Sequence, residues 1–158
     1  MKKRLISVLF VLITLLTAAT AYASHNTAVK LPDINGWMNG KIQITPIETV
    51  SGYKGSWQER DYRDESGTPY HAVWIDGAGE KQWNIEKVDG IKNDGSMGSN
   101  STYTTIIILN NTASLEKHPI TGKSLTVKTK DKGTLTLESL IAEEKEIVNA
   151  AELIIKNL

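Results

Sequence analysis

The chain has 158 residues, 18 basic and 18 acidic side chains, 40% hydrophobic content and no cysteine. Without cysteine there is no disulfide framework and no acylated cysteine to tether the chain to lipid. A balanced charge with arginine only at positions 4, 60 and 63 supplies no electrostatic pull toward nucleic acid or an anionic membrane.

Lys2, Lys3 and Arg4 open the chain, and Leu5 to Leu16 is apolar except at Ser7 and Thr14. Ala21-Tyr22-Ala23 then offers small residues at the two positions a signal peptidase reads, so residues 1–23 are predicted to be a secretory leader cleaved before Ser24. A membrane anchor needs roughly 20 apolar residues, and this run gives way sooner. Export to the periplasm or the extracellular space follows, with no stable membrane insertion after cleavage. Removing 23 residues from 158 leaves 135, with 15 basic against 18 acidic groups. That length suits one domain.

Residues 24–30 read as a polar, flexible entry, and 31–158 as a single α+β domain. Leu31-Pro32-Asp33-Ile34-Asn35-Gly36-Trp37 mixes turn formers with large apolar groups, as a loop tucked against the edge of a core does. Lys41 to Ile47 alternates until Pro46, whose missing N–H suggests an edge strand or a strand end. Ser56 to Arg63 and Tyr70 to Asp76 flank the turn Asp64 to Pro69. Asp89 to Ser101 is glycine-rich and polar and reads as a mobile loop. Tyr103 to Leu109, with three consecutive isoleucines, reads as a central strand covered on both faces. Leu125 and Val127 share a face with Leu135 and Leu137 if Lys130-Asp131-Lys132-Gly133 makes a turn. Finally, Ile147, Val148, Ala151, Ile154, Ile155 and Leu158 form one apolar stripe of a helix with Ser139 as its N-cap.

The predicted architecture is therefore an antiparallel sheet built from hairpins, with a long C-terminal helix packed on one face. The entry at Leu31 to Trp37, the paired strands and the closing helix at Ser139 to Leu158 resemble PsbP-like small exported domains. That resemblance implies an accessory, non-catalytic role and carries over no functional residue.

Strand parity places Trp57, Glu59, Asp61 and Arg63 on one face. If the turn closes Arg63 onto Tyr70, then Tyr70, Trp74 and Asp76 join them, and aromatics beside carboxylates suit a polar ligand or partner. The plainer reading is a solvated sheet face. Glu59 and Asp61, two positions apart, also span a distance that inverting glycosidases use. His25, His71 and His118 lie in no motif, and no nucleophile elbow is present. Asp89 to Asn100 departs from a calcium loop at Ile91 and Asn100. No metal and no cofactor is expected. Asn100-Ser101-Thr102 and Asn110-Asn111-Thr112 fit the glycosylation pattern. An exported, non-catalytic binding or accessory protein is the favoured reading. A small carbohydrate-active hydrolase and a structural envelope component are the alternatives.

Overall fold

The computed structural model describes residues 29–77, 89–92, 100–130 and 133–158. The predicted leader, most of the polar entry, the centre of the glycine-rich loop and the middle of the predicted turn at 130–133 lie outside them. Nine strands form one sheet: β1 (Met38–Asn39), β2 (Gln43–Glu48), β3 (Lys54–Arg63), β4 (Pro69–Asp76), β5 (Gly90–Lys92), β6 (Ser101–Ile108), β7 (Asn111–His118), β8 (Gly122–Thr129) and β9 (Gly133–Ser139). Their order is β1-β3-β4-β9-β8-β7-β6-β5, with β2 also on β3, and each of these pairings is antiparallel. One helix, α1 (Glu144–Asn157), follows β9 and lies over β8 and β9. The expected α+β class is thus corrected to a mainly-β fold, because among the described residues nine strands in one sheet share a single 14-residue helix. Among the described residues no helix is long and apolar enough to cross a membrane.

The α1 stripe faces inward. Ile147, Ala150, Ala151 and Ile154 are buried, with Val148, Ile155 and Leu158 packed beside them. The N-cap of the helix is Glu143, not Ser139, and the Glu143 N–H donates to Glu146 Oε2 at 2.7 Å. Ser139 instead ties the connection down, donating to Pro69 O at 2.7 Å and accepting from Ala142 N–H at 3.1 Å. Opposite the helix, Leu125 pairs with Leu137 and Val127 with Leu135, and all four are fully buried. Alternation alone specified that register, since a slip of one would turn all four to solvent.

The α1 face continues under a second cover, the segment 29–37. Here β3 presents Gln58, Arg60 and Tyr62 inward, polar groups that satisfy a backbone lacking strand partners. Gln58 accepts from Leu31 N–H at 3.1 Å and donates to Val29 O at 2.6 Å, and Tyr62 OH donates to Pro32 O at 2.8 Å. Leu31 and Ile34 are buried as a result. Buried backbone groups must find partners, and these side chains provide them.

Two strands differ from expectation. The isoleucine run forms β6, separated from the sheet edge only by the three-residue β5, so Ile108 is buried while Ile107 is 67% exposed. The Pro46 strand does lie outermost, as β2 on β3. At the start of β9, Gly133 adopts φ +142°, and a Cβ there would lie 2.8 Å from the Trp74 ring. Glycine is required because the two chains approach closely in a backbone region that side chains avoid.

Candidate functional site

The first hairpin sets the surface chemistry. Arg63 pairs with Pro69 and Tyr62 with Tyr70, one residue from the expected closure. Trp57, Glu59, Asp61 and Arg63 do share a face, turned away from α1, but Tyr70, Trp74 and Asp76 stand on the opposite one. Tyr70 and Trp74 are buried in the core, and Asp76 accepts the Ser56 N–H at 2.6 Å. The seven-residue surface is therefore split between two faces.

The slip has a local cause. Asp64 Oδ1 accepts from Ser66 N–H, Ser66 Oγ–H and Thr68 N–H at 2.9, 2.7 and 2.9 Å, and Tyr70 OH donates to Oδ2 at 3.1 Å. These bonds, with Gly67 at φ +91°, close the turn at Thr68 and leave Pro69 to open β4. Burial alone would raise the Asp64 pKa, but hydrogen bonds from Ser66, Thr68 and Tyr70 together hold it below its ordinary value. A depressed carboxylate stabilises the fold above its unfolded pKa, and that contribution is lost as pH falls through the folded value. Asp64→Asn should therefore melt below the native chain at pH 7, with the gap narrowing as pH falls below the ordinary aspartate value of 3.8. Thermal melts at pH 7 and pH 3 check this.

On the face away from α1, Trp57 Nε1–H donates to Glu59 Oε1 at 2.8 Å, and His71 Nδ1 lies 2.8 Å from Asp61 Oδ1. Strand pairing extends the second contact into a row of Asp61, His71, Glu138, Ser124 and Glu116 across β3, β4, β9, β8 and β7. The start of this row opens into a cleft of about 600 Å³ whose lining includes Met38, Asp61, Arg63, His71, Glu138 and Leu140. Met38 and Leu140 are 70% and 66% exposed, and Ile120 and Ile141, beside them in sequence or at the adjoining turn, are exposed too. The cleft thus sets exposed apolar side chains beside polar ones.

Neither Glu59 nor any tryptophan lines this cleft. Both carboxylates of the proposed glycosidase pair are occupied by neighbours, Glu59 by an indole and Asp61 by an imidazole. Among the described residues no three His, Asp or Glu side chains converge as metal ligands do. Glu138, Met38 and Leu140 escaped the sequence reading, and His71 was set aside there as lying in no motif, because the cleft joins the ends of β1, β3, β4 and β9, which are far apart along the chain. The hairpin register is the signal that could have found His71: closure at Pro69 puts it beside Asp61.

Comparison with known proteins returns no family model, no curated protein and no solved structure that matches the chain. The cleft must be read from its own chemistry.

Proposed function

We propose that this is an exported, non-catalytic binding or accessory protein that engages its ligand at the cleft between β1, β4 and the end of β9. The leader-like start supports export. The observation that carries the binding role is the pair of exposed lips, Met38 and Leu140, beside a hydrogen-bonding row of Asp61, His71 and Glu138. Such a mixture suits recognition, in which apolar contact supplies energy and polar groups supply orientation. A hydrolase acting through Glu59 and Asp61 is disfavoured, since those residues share no cleft. A purely structural envelope role is the alternative that the variant test below separates from recognition.

The Met38→Glu, Leu140→Glu double variant tests the site. Both side chains are largely exposed, so the melting temperature should stay within a few degrees of the native value. Capture of the ligand or partner from the exported fraction should fall by about tenfold or more, as expected when central apolar contacts are lost. Equal capture by both forms would place recognition elsewhere.

A further inference from the structure

We propose that His118 is a pH-operated clasp on the β7–β8 turn, closed while its imidazole is neutral and released when Nδ1 takes up a proton. The device goes beyond the reading of the cleft as a binding site and stands or falls without it.

The turn consists of Pro119, Ile120 and Thr121, between the paired residues His118 and Gly122. Pro119 has no N–H to offer, and the next two backbone donors turn back onto the histidine. Ile120 N–H and Thr121 N–H each donate to His118 Nδ1 at 3.0 Å. A backbone N–H can only donate, so Nδ1 is the acceptor, and the ring proton of the neutral imidazole sits on Nε2. The donors thus fix the tautomer. Asn and Asp close turns in the same way, with a side-chain oxygen taking backbone N–H groups a few residues on. Histidine differs in one respect, because its acceptor is also a base, and its charge ordinarily changes between about pH 5 and 8. Once protonated, Nδ1 is a donor and faces two further donors across 3.0 Å. None of the three can accept, so the turn lets go.

The charged groups around the ring are of both signs. Glu116 and Lys117 precede it on β7, and Lys123 faces Lys117 from β8. Lys117 pairs with Glu144, and Lys123 lies 4.0 Å from Glu143, both at the start of α1. On the other side of β7, β5 sets Lys92 opposite Ser101 of β6. Across the sheet, Glu116 leads through Ser124 to Glu138 and His71. Both lysines that flank the turn have carboxylate neighbours, and the contact that changes with the proton is the one to the turn backbone.

The turn is also a wall of the cleft. Thr121 and Leu140 both line it, and Ile120 is 69% exposed. Gly122, at φ +82°, packs so closely that a Cβ on it would lie 2.5 Å from Leu140 Cα. Release of Ile120 and Thr121 therefore alters the apolar rim at the Leu140 end as pH falls.

NMR of the exported protein and two variants between pH 8 and pH 5 tests the clasp. At pH 8, long-range proton–nitrogen spectra should show the His118 ring proton on Nε2. As pH falls, the Ile120 and Thr121 amide protons should move upfield together as they lose their acceptor, and the Gly122 and Leu140 amides should shift with them. His118→Asn keeps an acceptor that does not titrate, so these shifts should vanish and only those caused by His71 should remain. His118→Phe keeps a ring without an acceptor, so its Ile120 and Thr121 amides at pH 8 should already stand where the native ones stand at pH 5. A proton on Nδ1 at pH 8, or the same pH course in the native chain and His118→Asn, would overturn the clasp. The Met38→Glu, Leu140→Glu capture test bears on the binding reading alone, so the failure of one is distinct from the failure of the other.

Discussion

Ile154→Asp is expected to abolish the cooperative thermal transition at neutral pH. Ile154 is fully buried in the cluster that joins α1 to β8 and β9. The variant loses the burial of a large aliphatic side chain, about 1.5 to 3 kcal/mol. It also sets a carboxylate where water cannot reach it, adding several kcal/mol more. Together these approach the whole stability of an ordinary small domain, about 5 to 15 kcal/mol. Lys156→Ala on the exposed side of the same helix, which breaks only a 3.2 Å pair with Glu152, is the matched control and should cost less than about 1 kcal/mol. Circular dichroism melts of the two variants check the contrast. A native-like melt for Ile154→Asp would mean that α1 does not pack on the sheet.

That helix and the β8–β9 hairpin were legible because each rests on one repeating pattern: a stripe at helical spacing and an alternation carried by Leu125, Val127, Leu135 and Leu137. The first hairpin was half legible. Its strands were clear, but its register depended on how side-chain bonds from Asp64 close a turn, and a polar stretch of several residues carries no such information by itself. The strand β7 was not read at all. Only Ala113 and Leu115 are buried along it, and its turn with β6 is formed by Leu109 and Asn110, at φ +49° and +63°. A two-residue turn with both residues at positive φ is a favoured hairpin closure, but its usual marker is Asn-Gly, and Leu109 conceals it. Missing β7 and the short strands β1 and β5 made the sheet seem smaller and the helix proportionally larger, hence the α+β expectation. The inward polar residues of β3 misled in the same way. Gln58 and Arg60 break the apolar alternation of a core strand because they serve the segment above them, a tertiary role that strand pattern does not announce.

Arg60→Ala should be the most damaging substitution of a charged residue in the described fold, and it should act through the segment 29–37. Arg60 is 9% exposed. Its Nε and Nη1 donate to Gly40 O and Leu31 O at 2.9 and 3.0 Å, and Nη2 pairs with Asp33. Its guanidinium carbon also lies 5.3 Å from the centre of the Tyr62 ring. Truncation would leave two backbone carbonyls without donors, at about 1 to 3 kcal/mol for each buried group left unpaired. Lysine cannot replace the planar fork that reaches three acceptors, so Arg60→Lys should recover little. Asp33 is 81% exposed, and Asp33→Asn should therefore cost less than about 1 kcal/mol. Denaturant titration of the three variants measures this order, and limited proteolysis should show cleavage near residues 29–37 in Arg60→Ala alone. Equal losses in Arg60→Ala and Asp33→Asn would mean that the exposed ion pair, not the carbonyls, holds the segment. The consequence reaches the cleft, because the segment runs directly into β1. Asn39 binds it back through Ile34 N, Ile34 O and Trp37 O at 2.7, 2.9 and 3.0 Å, so releasing the segment frees Met38, one of the two lips. Arg60→Ala should thus weaken ligand or partner capture at the cleft even at a temperature where β8, β9 and α1 remain folded, although Arg60 does not line the cleft.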